Sequence, residues 1–456
     1  MTVTQSPTKW SSQFAFLAAA IGSAVGISNI WKFTYVAGEN GGGLFIAVYV
    51  IALIVISIPA LIAELLIGRS GGKSVVGTMA VLKRDQGISK YWRYYGFMAA
   101  LGVFLALSFY CVIAGWTLDY FVQSVSGGLQ EVNADKSNSL FANLMTSPVR
   151  LMASQAVFLV LTALVVALGV KSGLERVLRW LTPGLFIILL LLVLYAVIAG
   201  DLVSALKFMF VPNLEQFSAN VILMAVGQAF FSLGVGLGVL MTIGAYMKQE
   251  FSLVRAALVV AAADGGVAIL SGIAIFPIVF AFDLSPAGGP GLIFQTLPVA
   301  FGQMPGGEIF GPIFFLLLAM AALTSSITIM ETLVAWLEET TSLARPVLAA
   351  LSALAIFILG LATVFSFNVW ADFKPLSMFP LFADKTLFGL IDYLVSNILM
   401  PAGGILVAVL AGWAMTRDQV RAQLNTVSDT WFGIWYSLVR YLVPIAVASV
   451  FLINLF

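Results

Sequence analysis

Gly22-Ser23-Ala24-Val25-Gly26-Ile27-Ser28-Asn29 interrupts the first long apolar stretch of the chain, and Phe231-Ser232-Leu233-Gly234-Val235-Gly236-Leu237-Gly238 interrupts the sixth. A helix that crosses a bilayer gains nothing from glycine at this density unless its backbone is meant to stop and restart. Non-helical backbone at membrane depth is tolerated only where it is buried in protein or lines a cavity. Both interruptions are rich in carbonyl and hydroxyl oxygens of the kind that hold a hard cation. They mark the expected site, and the rest of the sequence is organised around them.

The chain has 456 residues, of which 61% are hydrophobic and 9% charged, with a mean hydropathy of +1.05. Apolar stretches of the roughly 20 residues needed to span a bilayer recur along its whole length. Eleven are expected, over 11–37, 42–68, 92–123, 148–169, 173–199, 219–247, 252–282, 308–338, 346–365, 386–414 and 431–455, giving an all-α membrane protein with no soluble domain left over. The polar stretch 124–147 reads as a loop. The first span lacks a basic leader and a small-residue cleavage site, so it reads as a retained helix and not a signal peptide. The one cysteine, Cys111, lies inside a span, which excludes a disulfide framework. The absence of histidine removes histidine metal sites and proton relays, and no haem, zinc or iron–sulfur centre is expected. A net charge of +1 gives no reason to expect nucleic acid. No nucleophile–base pair, phosphate loop or cofactor motif occurs, so the chain does not read as an enzyme.

Lysine and arginine counts set the orientation. With the N-terminus in the cytoplasm, the inner side holds 15 of them and the outer side 5, with Lys32 and Arg440 inside spans. The C-terminus is then outside. The two interrupted spans lie five apart in the order and enter the membrane from opposite sides. That pattern predicts an inverted repeat, 11–199 and 219–414, with 431–455 added. The plain alternative is that the glycines only allow helices to pack closely. In the fifth span, Gly173 and Pro183 weaken the helical ladder near its cytoplasmic end. This predicts either local unwinding that admits water or a capped and kinked helix end.

Ionisable groups inside spans are costly and tend to be functional. Here they are Lys32, Glu39, Glu64, Asp264, Glu331 and Asp392. Lys32 and Asp392 fall at similar depth and could pair across an outer mouth, or Lys32 could snorkel to water. Glu331 is expected to hydrogen-bond broken-helix backbone. Asp264, beside Gly265 and Gly266, has no adjacent base and should hold a proton or a cation. The run Thr324-Ser325-Ser326 could bond back to its own helix or offer oxygens to a cation opposite the first break.

These residues resemble a family, the bacterial branch of the neurotransmitter:sodium symporters, with the leucine-transporter fold. The resemblance rests on Gly22–Gly26, Asn29-Ile30-Trp31-Lys32-Phe33, Glu39-Asn40-Gly41-Gly42-Gly43 leading to Tyr49, Gly227-Gln228-Ala229-Phe230-Phe231-Ser232-Leu233, and Ala321-Ala322-Leu323-Thr324-Ser325-Ser326, and it spans essentially the whole chain. It implies two sodium sites. The first would use Ala24, Asn29, Ser232 and a position that is usually Asn and here is Asp264. The second would use the carbonyls of Gly22, Val25 and Ala321 and the hydroxyls of Thr324 and Ser325. Chloride-dependent relatives carry a serine where this chain has Ala268, with partners equivalent to Tyr49, Gln228 and Ser232. The resemblance therefore implies no chloride, with the charge of Asp264 in its place; an aspartate also offers a protonatable group for the return step.

The resemblance further implies a solute pocket walled by Ala24, Ile27, Ser28, Ala106, Tyr110, Phe231, Ser232, Gly234, Leu237, Ser325 and Ile329. Tyr110 would bond a carboxylate and Phe231 would be the lid. Gly26 stands where amine carriers have aspartate, which favours an amino-acid-type solute. Ser28, Gly234 and Leu237 depart from the family pattern, crowding the head-group end and widening the other. The gates depart too. Lys32 replaces an arginine opposite Asp392, Thr34 replaces a proline, and Pro7 replaces the cation expected to accompany Tyr246 and Glu339, with Lys9 a poor substitute. A weaker inner gate follows. The expectation is a sodium-driven importer of a small, amino-acid-like solute in the bacterial cytoplasmic membrane, working by alternating access as monomer or homodimer. The rivals are a carrier of an amine or organic cation and a non-transporting solute sensor.

Overall fold

The computed structural model describes residues 9–287, 289 and 291–453. Among these the structure is helical with no strand. Nine helices are long and apolar enough to cross a membrane: α2 (Gly43–Gly71), α3 (Lys90–Val125), α4 (Pro148–Ala167), α5 (Val170–Ala199), α7 (Leu253–Ala281), α8 (Gly307–Thr340), α9 (Arg345–Ser366), α10 (Leu387–Ala414) and α11 (Asp429–Ile453). A tenth, α1, is a pair, α1a (Gln13–Ala24) and α1b (Ser28–Glu39), bent by 52° at the first glycine-rich interruption. The second interruption splits α6 into α6a (Ala219–Ser232) and α6b (Val239–Ala245), each too short to cross alone. Helix ends agree with the apolar runs to within a turn.

The helices nest around α8, whose apolar window is 72% buried against 17% for α11 at the periphery. Small residues make this possible. Ala319, Ala321, Ala322 and Ser325 let α8 lie close to α3, α1a and α5. A side-chain carbon on Gly68 of α2 would fall 1.9 Å from the Met241 carbonyl oxygen of α6b, so that contact is backbone against backbone. Without water between apolar surfaces, such close packing is what binds helices in lipid.

Two expectations change. The stretch 124–147 is not all loop: Ala134–Met145 is a helix, started by Asn133, whose side chain accepts from Lys136 N. And α5 is wound from end to end. Gly173 is absorbed in a π turn, Val170–Glu175, and Pro183 sits inside the α-helical part, so the unwound alternative is not the one adopted.

Candidate functional site

The first break begins where Val25 turns extended, with ψ of 111°. This leaves the carbonyls of Gly22 and Val25 without helical donors, facing α8. Glycine is required for the approach: a side-chain carbon on Gly26 would lie 2.8 Å from Ser325 Oγ, and one on Gly22 would lie 2.9 Å from Thr182 Oγ1 and 3.2 Å from Thr324 Cβ. Ser325 Oγ is 3.3, 3.2 and 3.3 Å from the carbonyl oxygens of Gly22, Val25 and Ala321. Thr324 Oγ1 donates to Ala321 O at 3.0 Å. Three carbonyls and two hydroxyls thus converge, and each hydroxyl has a single proton to give. The surplus of oxygen acceptors fits a hard cation.

Asp264 of α7 is fully buried. Ser232 Oγ lies 2.9 and 2.7 Å from its two carboxylate oxygens, Asn29 Nδ2 donates to it at 2.6 Å, and the Tyr49 hydroxyl donates at 3.4 Å. No cationic side chain pairs with it among the described residues. Burying an unpaired ion costs several kcal/mol even after relaxation, on the order of 3–5 by the loss of one partner. A bound cation offsets that cost, so this donor set fits one as well. Asn29 also accepts from Gly26 N at 2.9 Å, tying the carboxylate to the first break. Ala24 lines the adjoining cavity. Ala268, one turn further along α7, is buried and offers no polar atom, and both amide atoms of buried Gln228 lack a hydrogen-bond partner.

The second break is shaped by Gly234, Gly236 and Gly238, with φ of 64°, 108° and 75°. A side-chain carbon on Gly236 would also fall 2.6 Å from the Met400 carbonyl oxygen of α10. Its stranded amides have a dedicated acceptor. Glu64 of α2, fully buried, takes Gly236 N at 2.9 Å and Met241 N at 3.3 Å. That is the role expected of Glu331. Glu331 instead accepts from the Tyr246 hydroxyl at 2.9 Å and pairs with Arg345. The only signal for Glu64 was a carboxylate inside an apolar span, and its partners Gly236 and Met241 lie 172 and 177 residues away.

Between the breaks opens a cavity of about 710 Å³ lined by all eleven expected pocket residues, Ala24, Ile27, Ser28, Ala106, Tyr110, Phe231, Ser232, Gly234, Leu237, Ser325 and Ile329. Tyr110 donates to Ala322 O at 3.4 Å, which holds its ring at the wall. A side-chain carbon on Gly234 would meet nothing within 4 Å, so the cavity is open there. It continues outward past Phe231 to Trp31, Tyr35, Phe109, Phe388 and Asp392, an aromatic vestibule that sequence reasoning did not assemble.

At both mouths the expected gate residues have other partners. At the outer mouth Lys32 makes no ion pair with Asp392 among the described residues. Its ammonium sits 3.7 Å over the Phe231 ring, and Asp392 accepts from Ser396 Oγ at 2.8 Å. A π turn over Ser28–Lys32 sets the direction of the Lys32 stem. At the inner mouth Tyr246 and Glu339 do not form one unit. Tyr246 meets Glu331, while Glu339 accepts from Ser74 N and Ser74 Oγ, both at 2.7 Å, at the start of the helix Val75–Gln86. Pro7 lies outside the described residues. Lys9 does supply a cation: its ammonium meets the carbonyls of Ala245 and Met247 at 2.9 and 3.2 Å, at the end of α6b. Trp10 is fully buried, with Nε1 donating to Ile243 O at 3.1 Å, and Ser11 donates to Glu175 of α5 through N, at 3.1 Å, and through Oγ.

Comparison with known proteins agrees with this geometry. The profile of the Sodium:neurotransmitter symporter family matches residues 7–140 and 138–455. A sodium-dependent transporter of Bacillus subtilis, YhdH, is 36% identical over 451 residues, covering 98% of each chain. A sodium-dependent transporter of Haemophilus influenzae is 32% identical over 455 residues, again covering 98% of each. The crystal structure of MhsT in complex with L-phenylalanine superposes with a TM-score of 0.89 at 36% identity, covering 98% of this chain and 100% of that one. The all-helical architecture with two broken helices is therefore the leucine-transporter fold, and the chain belongs to the sodium:neurotransmitter symporter family.

Proposed function

We propose that the protein is a sodium-driven symporter that brings an amino acid with a large apolar side chain into the cell by alternating access. The observation that carries this reading is the convergence of oxygens at the first break. Gly22, Val25, Ala321, Thr324 and Ser325 would hold one sodium, and Ala24, Asn29, Ser232 and Asp264 a second. The ion supplies fixed positive charge there. The chain's own residues bring α1, α6, α7 and α8 into register around it, so that filling the sites favours one arrangement of the breaks.

The pocket supports an amino acid over an amine. Gly26 leaves no carboxylate in the solute's head-group region. Asp264 is engaged by Ser232, Asn29 and Tyr49 and does not line the cavity, so it is poorly placed as a counter-charge for an organic cation. The open side at Gly234 and the apolar Leu237 suit a bulky side chain, in keeping with the L-phenylalanine held by MhsT. Ala268 and the fixed charge of Asp264 support chloride independence. We read the broken α6 as one crossing, giving eleven in all. The charge distribution supports a cytoplasmic N-terminus, an external C-terminus and residence in the bacterial cytoplasmic membrane.

A thermal-shift screen of amino acids and amines, each in sodium and in potassium, tests the reading. Large apolar L-amino acids should raise the melting temperature by mass action in sodium only, with chloride or gluconate as anion alike. Stabilisation by an amine, or equal stabilisation in potassium, would overturn it.

A further inference from the structure

The geometry points to a docking site for an anionic phospholipid of the cytoplasmic leaflet on the first two turns of α5. It rests on the orientation proposed above. Lys171, Arg176 and Arg179 are exposed there and have no hydrogen bond, ion pair or ring contact among the described residues. Several other cations on that side are engaged: Arg69 with Gln423 and Phe251, Arg84 with Asp85, Arg345 with Glu331 and Glu338, Arg421 with Asp429. Lys73, Lys83 and Arg255 also lack a side-chain partner among the described residues, but they stand on three separate segments and form no such group. Trp180, 77% exposed, stands beside the unpaired three. Residues 176, 179 and 180 begin a stripe at three- and four-residue spacing that continues through exposed Ile187, Leu190, Leu194 and Ile198. One face of α5 thus carries basic groups and an indole at its cytoplasmic end and bare aliphatic surface beyond. This matches a phospholipid, with its phosphodiester at the cations, its glycerol level at Trp180 and its acyl chains along the stripe.

The opposite face of the same turns holds the inner side shut. Glu175 accepts from Ser11, and Thr182 Oγ1 donates to Ala18 O at 3.0 Å and lies against Gly22. A headgroup that neutralises the three cations steadies these turns and with them the N-terminal segment. Anionic lipid therefore slows inner opening.

The test uses the full-length protein in nanodiscs of phosphatidylcholine alone or with one part in four of phosphatidylglycerol in both leaflets, which makes the lipid result independent of sidedness. Native mass spectrometry reads retained phosphatidylglycerol, and hydrogen exchange over residues 9–24 reads inner opening. The triple variant Lys171→Gln, Arg176→Gln, Arg179→Gln should retain phosphatidylglycerol about a hundredfold less well, at about fivefold per charge, and lose the slowing of exchange that the wild type shows. The matched triple Lys73→Gln, Lys83→Gln, Arg255→Gln should behave as wild type. Equal loss in both triples, or in neither, would overturn the site. If the first triple fails to insert, the wild type decides: potassium chloride should abolish its retention by screening, and millimolar glycerol phosphate should leave exchange unchanged. Retention that survives salt, or slowing by the soluble phosphate, would overturn the lipid as occupant.

Discussion

The two mouths of the pathway are built from the same kinds of residue and are in opposite states. Outside, Lys32 and Asp392 lie near each other yet bond elsewhere, Lys32 to the face of Phe231 and Asp392 to Ser396, and the cavity runs between them to the vestibule. Inside, Lys9, Trp10 and Ser11 are fastened to α6b and α5 by donor–acceptor bonds of 2.9–3.2 Å. The difference lies in what the cations meet. A lysine over a ring gains about 0.5–2 kcal/mol and leaves the mouth open. A lysine on two stranded helix-end carbonyls satisfies groups that have no other donor, and so closes it. In place of the family's arginine, the contacts at the inner mouth are spread over a neighbouring lysine, an indole and a serine.

Four substitutions would break or sharpen this contrast. Trp10→Ala should have the largest effect. Trp10 is fully buried and packs edge-on to Tyr246 at 6.1 Å between centroids, and removing such a ring costs about 3–5 kcal/mol. Exchange of residues 9–24 should rise by two orders of magnitude or more, and an unchanged rate would show that the indole does not seal the inner side. Glu64→Gln should come next. It weakens the acceptor for Gly236 and Met241 amides by about 1–3 kcal/mol, read as a lower melting temperature; a neutral result would mean the second break is held by α10 alone. Lys9→Gln should loosen the inner mouth by about 1 kcal/mol, a fivefold faster exchange. Lys32→Arg should be smallest. A guanidinium can fork onto Asp392 where an ammonium cannot, which should close the outer mouth by no more than about 1 kcal/mol and slow labelling of Gln295→Cys, a position on the wall of the same cavity.

The breaks were legible because glycine density and hydroxyl content are local properties; the pocket walls, with Ala106 and Tyr110 on α3 and Ser325 and Ile329 on α8, were named through the family resemblance and not by any local pattern. The gates were not. Glu331 and Glu339 are eight residues apart on one helix, about 80° apart around it and about 12 Å along it, so which one meets Tyr246 depends on where α6b ends. The direction of Lys32 depends on a π turn that no pattern in Ser28–Lys32 announces. Glu64 and its amides, and Trp31 with Phe109 and Phe388, come together only through the fold. The helix Ala134–Met145 was hidden by polar composition, which signals exposure and not the absence of helix.

The central claim is that the oxygens gathered by the first break hold sodium. Binding of radiolabelled sodium to the purified protein tests it without knowledge of the solute. Wild type should bind saturably, in chloride or gluconate alike, and Thr324→Ala with Ser325→Ala should weaken binding at least tenfold while leaving the melting temperature without sodium within a few degrees. Equal sodium binding by wild type and this double variant would contradict the account.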